Sequence, residues 1–392
     1  MFNLKKRRAL FIFMTCVMLI FSMSSCSKIG KADKAEEIVI DESAAQGVAG
    51  AEVAFILPST DESAIGISGW VQKSWAGVKN YCEGNGKTYT WFVPAWDSTQ
   101  GFSSVIDKAV SGGAKIVVTA GPGSAEAVAE VQGKNPDVKF IAVEADGIQS
   151  LIGYNTYAVF HQVNEAGFLA GVAAVKGGFN NIGILIGFDN PQMNSWCYGY
   201  IQGINYAAGA GGTTGINVRQ QYVNSVTVSP EIQDIAAKWY ADGCDLIIPV
   251  MEGGNLSLFA AAEKAKKPCF GSDVDQGELS EMVLTGAVRH IDASISEALK
   301  SASGGDFPGG TYKWFTVSDN RVGLAEANWR MDQFGYSLSD YKADFEAFKT
   351  NVDKQRSSLK VESISRKDPG MNAFEALMND LEKKNIGFNA IK

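Results

Sequence analysis

Four carboxylates, Asp61, Glu144, Asp273 and Asp275, stand at the ends of short apolar runs in a chain where such runs alternate with helical stretches. Carboxylates so placed support two chemistries. A pair facing each other across a glycosidic bond can serve as acid and base. Alternatively, one ionised carboxylate accepts hydrogen bonds from two neighbouring hydroxyls of a sugar or polyol and holds it unchanged. The stretch Lys267-Pro268-Cys269-Phe270-Gly271-Ser272-Asp273-Val274-Asp275-Gln276 carries two of the four. A helix stops at Pro268, an apolar strand follows, and both acids lie at its C-terminal end. Ligands of open α/β sheets sit beyond the carboxyl ends of the strands. Asp273 therefore either reaches a ligand or caps the next turn.

Other residue types narrow the chemistry. The two histidines, His161 and His290, have no neighbouring nucleophile pattern. Gly121-Pro122-Gly123 follows a strand but has Glu126 where a dinucleotide fingerprint needs a small residue, and it reads as a tight strand-to-helix turn. No Walker loop occurs, and Cys82, Cys197, Cys244 and Cys269 lack metal-ligand spacing. No metal, cofactor or catalytic residue is expected. Among the tryptophans, Trp75 and Trp91 fall at core positions. Trp70 lies beside Gly69 near a helix start, where it either fills the core or stacks on a flat ligand.

The elements that must hold these residues follow a βαβ rhythm. Strands are predicted at 52–57, 89–93, 115–119 and 139–143, with a further strand or crossover at 157–160 and a first helix opening at the 60–63 turn and ending at Gly84. The pattern restarts with a helix over 165–175. Strands then follow at 182–188, 218–223 and 246–250, alternating with helices; the 267–276 stretch completes the set, and 283–288 adds a strand or crossover. The expected fold is α/β, two doubly wound lobes with a ligand cleft between them. The first lobe is 51–160 with 290–330 returning to it, the second is 161–289, and 331–392 is a helical extension including a helix over 372–384.

The chain of 392 residues is long enough for two domains, and its 46% hydrophobic content is that of a globular protein. A net charge of −8 argues against a nucleic-acid surface. Lys5, Lys6, Arg7 and Arg8 precede an apolar run over 9–21, then Ser24, Ser25 and Cys26. This is a signal-peptide pattern, too short for a comfortable membrane span of about 20 apolar residues. Cys26 after two small residues resembles a bacterial lipoprotein signal, with Met23 where Leu is usual. Residues 27–50 read as a flexible tether holding the globule about 25–30 Å from the membrane. The expected location is the cell membrane, lipid-anchored and facing the periplasm or outside.

Four blocks together carry a family resemblance: Phe160 to Gly171, Asn190 to Gly203, Gly243 to Ile247, and Gly271 to Gln276. In order and spacing they resemble the basic membrane protein family of substrate-binding lipoproteins. The resemblance implies a type I periplasmic-binding fold feeding an ABC importer, with purine nucleosides as favoured ligands and a permease and ATPase as partners. It further implies a non-enzymatic, monomeric protein. Trp70 matches an aromatic that stacks on the base, and Glu144 an Asp at a strand end. Gly253 lies in a Gly-rich loop, Asp273 matches a ribose carboxylate, and Arg289 stands where the family has Lys. Asp61 and Ser63 correspond to a start motif that is more compact in the family, and Val71 replaces its Asn. Val226 holds the second aromatic position, with Trp196 or Tyr222 as substitutes. The expected ligand-binding set is Asp61, Ser63, Trp70, Gly121, Glu144, Trp196, Gly253, Asp273 and Arg289, with Cys26 lipidated. The alternatives are another sugar-like solute or a glycan-acting enzyme.

Overall fold

The computed structural model describes residues 50–66, 69–358 and 387–391, with side chains described except at 63–64, 351–358 and 387–391. Cys26, the signal segment, all of the tether but Gly50, and the helix expected over 372–384 lie outside the described residues.

The chain runs β1 (Val53–Ile56), α1 (Trp70–Gly84), β2 (Tyr89–Phe92), α2 (Thr99–Ser111), β3 (Ile116–Ala120), α3 (Ala125–Gln132), β4 (Lys139–Val143) and β5 (Thr156–His161). It continues through α4 (Val163–Lys176), β6 (Asn181–Ile186), α5 (Pro191–Gly211), β7 (Asn217–Tyr222), α6 (Pro230–Ala241), β8 (Leu246–Val250), α7 (Asn255–Ala265), β9 (Cys269–Asp273) and β10 (Val283–Arg289). The last part comprises α8 (Ile291–Gly304), β11 (Thr311–Phe315), β12 (Val322–Leu324), α9 (Leu338–Ser358) and β13 (Gly387–Ile391).

Two sheets result, ordered β11-β5-β4-β3-β1-β2 and β12-β10-β9-β8-β6-β7-β13. Among the described residues all pairings are parallel except β10 with β12. Strands such as β1, β3 and β8 are buried at every position. Near-continuous apolar runs are what parallel strands covered on both faces require. In the first lobe α1 and α8 cover one face of the sheet, with Trp75 and Ile295 in the core. On the other face, α2 and α3 bury Phe102 and Val128.

In the second lobe α4 and α5 pack through glycine. A Cβ added at Gly203 would lie 2.0 Å from the Phe168 carbonyl oxygen, and one at Gly171 would lie 2.2 Å from that of Tyr200. The helices therefore approach backbone to backbone, and any larger residue would push them apart.

Three expectations change. The first helix begins at Trp70, because the 60–63 turn forms only the short 3-10 segment Glu62–Ile65. Residues 290–330 divide: α8 and β11 join the first lobe, whereas β12 is the edge strand beside β10. The 331–392 region is not purely helical. Tyr341 and Phe348 of α9 enter the second core, and β13 extends the second sheet beside β7. Tyr341 Oη accepts the Leu324 N–H at 2.9 Å, tying the helix to the edge strand. No helix among the described residues is long and apolar enough to cross a membrane.

The chain crosses between the sheets after β5, after β10 and between β11 and β12. Backbone bonds lace these crossings, Gln162 N–H to the Phe315 carbonyl and His290 N–H to that of Arg321, both 2.8 Å. His161 and Arg289 are the residues at which two of the crossings leave their strands.

Candidate ligand-binding site

Carboxylates from both sheets converge on Arg289. Its Nε donates to Asp273 Oδ1 at 2.6 Å and its Nη2 to Asp273 Oδ2 at 3.0 Å, a two-pronged pair. Its Nη1 lies 2.9 Å from Glu144 Oε1, which brings the end of β4 to the end of β10. Only 2% of the Arg289 side chain is exposed and none of Glu144, against 14% of Asp273. Burial alone would weaken the guanidinium's hold on its proton. The Asp273 and Glu144 charges more than offset it, and its pKa rises above the usual value. Asp273 is the most exposed of the three. Arg289 occupies one acceptor position on each of its oxygens, leaving others for a ligand.

Trp70, at the first turn of α1, completes the floor. The Arg289 guanidinium carbon lies 5.5 Å from its ring centroid, within cation–π range. The ring also lies against Gly121, whose φ of +81° suits glycine and where a Cβ would come within 3.3 Å of the indole. Trp70 is half-buried and packs against the first-lobe core.

Sequence reasoning missed Glu252. It follows β8 with Met251 between, and its carboxylate hydrogen-bonds the Trp70 indole N–H across the two lobes. It is exposed, yet crowding in the cleft together with the Asp273 charge pushes its carboxyl up to about 7. A carboxylate in a narrow cleft touches water while lacking a full hydration shell. The available signal was its position, two residues past an apolar strand and before Gly253-Gly254.

Glu144, Glu252 and Asp273 share a backbone feature, φ of +54°, +49° and +73°. Left-handed geometry in a non-glycine residue costs about 1–3 kcal/mol and concentrates at functional sites. Here it turns three strand ends so that their acids meet.

The remaining predicted residues fare differently. Gly253 lies beside Glu252, and a Cβ there would come 3.3 Å from the Val226 carbonyl oxygen. Asp61 is exposed, with its N–H on Ser59 Oγ at 3.0 Å, and Ser63 follows in the short 3-10 segment. Trp196 is not a cleft residue. It is 3% exposed in the second-lobe core, because the face of α5 that carries it packs inward. Tyr222 donates to Asn194 Oδ1 at 2.8 Å. Asp275 accepts the Gly277 N–H at 2.9 Å as a turn cap.

His161 gains partners the sequence hid. Its Nδ1 is 2.7 Å from Glu144 Oε1 and its Nε2 2.8 Å from Ser294 Oγ. The order resembles a nucleophile relay. All three side chains are fully buried, however, and the Ser294 hydroxyl donates to the His290 carbonyl at 3.2 Å. Ser294 Oγ thus has two neighbours that can accept its proton, and the buried network lies beneath the residues around Arg289.

The sequence profile described as ABC transporter substrate-binding protein PnrA-like matches residues 56–359. The chain belongs to this family. A nucleoside-binding protein of an ABC transporter from Lactococcus lactis is 25% identical over 292 residues, covering 69% of this chain and 80% of that one. Basic membrane protein B of Borreliella afzelii is 25% identical over 238 residues, 58% of this chain and 67% of that one. Among solved structures, an ABC transporter solute-binding protein from Aeropyrum pernix superposes with a TM-score of 0.64 at 18% identity. It covers 85% of this chain and 98% of its own. That likeness shows the fold, the two-lobed type I periplasmic-binding architecture. As a PnrA-like substrate-binding protein, the chain has a small-molecule ligand and a permease and ATPase as partners.

Proposed function

We propose that this protein captures a nucleoside, a purine nucleoside before others, between its lobes and delivers it unchanged to an ABC importer. The observation that carries the reading is the meeting of Trp70, Asp273 and Arg289 at one point between the sheets. A heterocycle needs a ring face, which Trp70 offers. A ribose needs two acceptors side by side, which Asp273 offers through its remaining lone pairs. The reading also assigns Asp61, Ser63, Gly121, Glu144 and Gly253 to the ligand-binding set. The acids outnumber the cation. Glu144, Glu252 and Asp273 face one Arg289, so a neutral donor-rich ligand suits the cleft and a phosphorylated one does not. The membership of the L. lactis relative, named for nucleoside binding, supports the same substrate class. The protein works without catalysis, tethered through an acylated Cys26 and the 27–50 linker, outside the cytoplasmic face and as a monomer.

The test is mass spectrometry of the small molecule released by denaturing protein purified under native conditions. A nucleoside recovered intact at near-stoichiometric yield is the expected result. A free base together with ribose would point to a glycan- or nucleoside-cleaving enzyme, and a different sugar-like solute would replace the nucleoside.

A further inference from the structure

Glu252 stands on the second lobe directly across from Trp70 on the first, and the recognition roles above leave it without a ligand partner. We propose that Glu252 is a specificity-determining residue, accepting a hydrogen bond from an amino or ring N–H group of the heterocycle seated against Trp70. The inference rests on the nucleoside reading and adds which edge of the base is read.

Three observations carry it. The side chain is held at φ +49° although Gly253 and Gly254 follow immediately, so the chain keeps an acid where a glycine would be less strained. The residue is exposed, hence reachable by a ligand. The Trp70 indole uses one of its acceptor positions, which orients the group in register with the ring and leaves the others open.

The charged groups facing it are Asp273 on β9 and Arg289 on β10. Crowding and Asp273 raise its carboxyl to about 7, while Arg289 and the Trp70 N–H act the other way. Near neutral pH the group is divided between its two forms. A ligand N–H selects the ionised form, so binding releases a proton and strengthens as pH rises through this range.

The experiment is calorimetric titration of wild type and Glu252→Gln at pH 6 and pH 8, in buffers of different ionisation enthalpy. Adenosine and inosine present N–H donors on the edge that purine riboside lacks. For whichever of the two binds better, wild type should bind about ten-fold more tightly at pH 8 than at pH 6, with proton release. Purine riboside, and Glu252→Gln with any of the three, should change by less than about two-fold. Wild-type affinity that ignores both pH and the N–H group overturns the role of Glu252 while leaving nucleoside capture standing. So does a Gln variant that keeps the wild-type slope. Failure of all three nucleosides to bind wild type overturns both.

Discussion

At the residue scale, the site is a balance of charges that no member can leave cheaply. Arg289 satisfies Asp273 with two bonds and approaches Glu144, and all three are largely out of water. Removing one partner of a buried pair costs about 3–5 kcal/mol, since the charge left behind is uncompensated. Arg289→Met should therefore lower unfolding stability by about that amount, as chemical denaturation would measure. Adding Asp273→Asn to it should cost much less than the two single losses summed. Simple additivity would mean that the pair is not coupled. Glu252 tests backbone strain in isolation. Both Glu252→Ala and Glu252→Gly remove the contact with Trp70, but only glycine adopts φ +49° freely. The glycine variant should be more stable than the alanine variant by about 1 kcal/mol. Equal stabilities would show that the conformation carries no strain. Asp273 was legible in the sequence because it ended an apolar strand within one of the four blocks, and Arg289 because it followed the 283–288 segment at the position where the family has Lys. Glu252 was not, since an acid before two glycines reads as an ordinary turn until the opposite lobe supplies Trp70.

At the scale of elements, strand-to-helix alternation made both sheets readable, because fully apolar runs of four or five residues suit only strands covered on both faces. The return path was less readable. Short segments such as β12 carry no periodicity that tells one sheet edge from another, and only its antiparallel pairing with β10 assigns it. Trp196 misled for a related reason. An aromatic in the second turn of a helix faces either the cleft or the core according to helix rotation, and here α5 is rotated by its glycine contact with α4. A Cβ at Gly199 would meet the Asn164 carbonyl oxygen at 2.2 Å, just as one at Gly203 meets that of Phe168. Gly203→Ala should therefore destabilise the second lobe by about 1–3 kcal/mol or more, seen as a lower melting temperature. An unchanged melt would show that the two helices can separate freely.

At the scale of the whole molecule, the two lobes meet through three strand crossings, and the charged network lies where two of them leave their sheets. His161, buried between Glu144 and Ser294, and Arg289, buried between Glu144 and Asp273, tie the hinge to the floor of the cleft. On the proposed reading, a ligand that bonds Asp273 also bears on the ion pair that joins β10 to β4. The most direct measurement is calorimetric titration of ligand-stripped protein with a purine nucleoside and, separately, with its 5′-monophosphate. The account predicts saturable one-to-one binding of the nucleoside and binding of the monophosphate weaker by at least about a hundred-fold, because a dianion would enter a cleft holding more carboxylates than cations. Equal or tighter binding of the monophosphate, or no binding of the nucleoside, would contradict it.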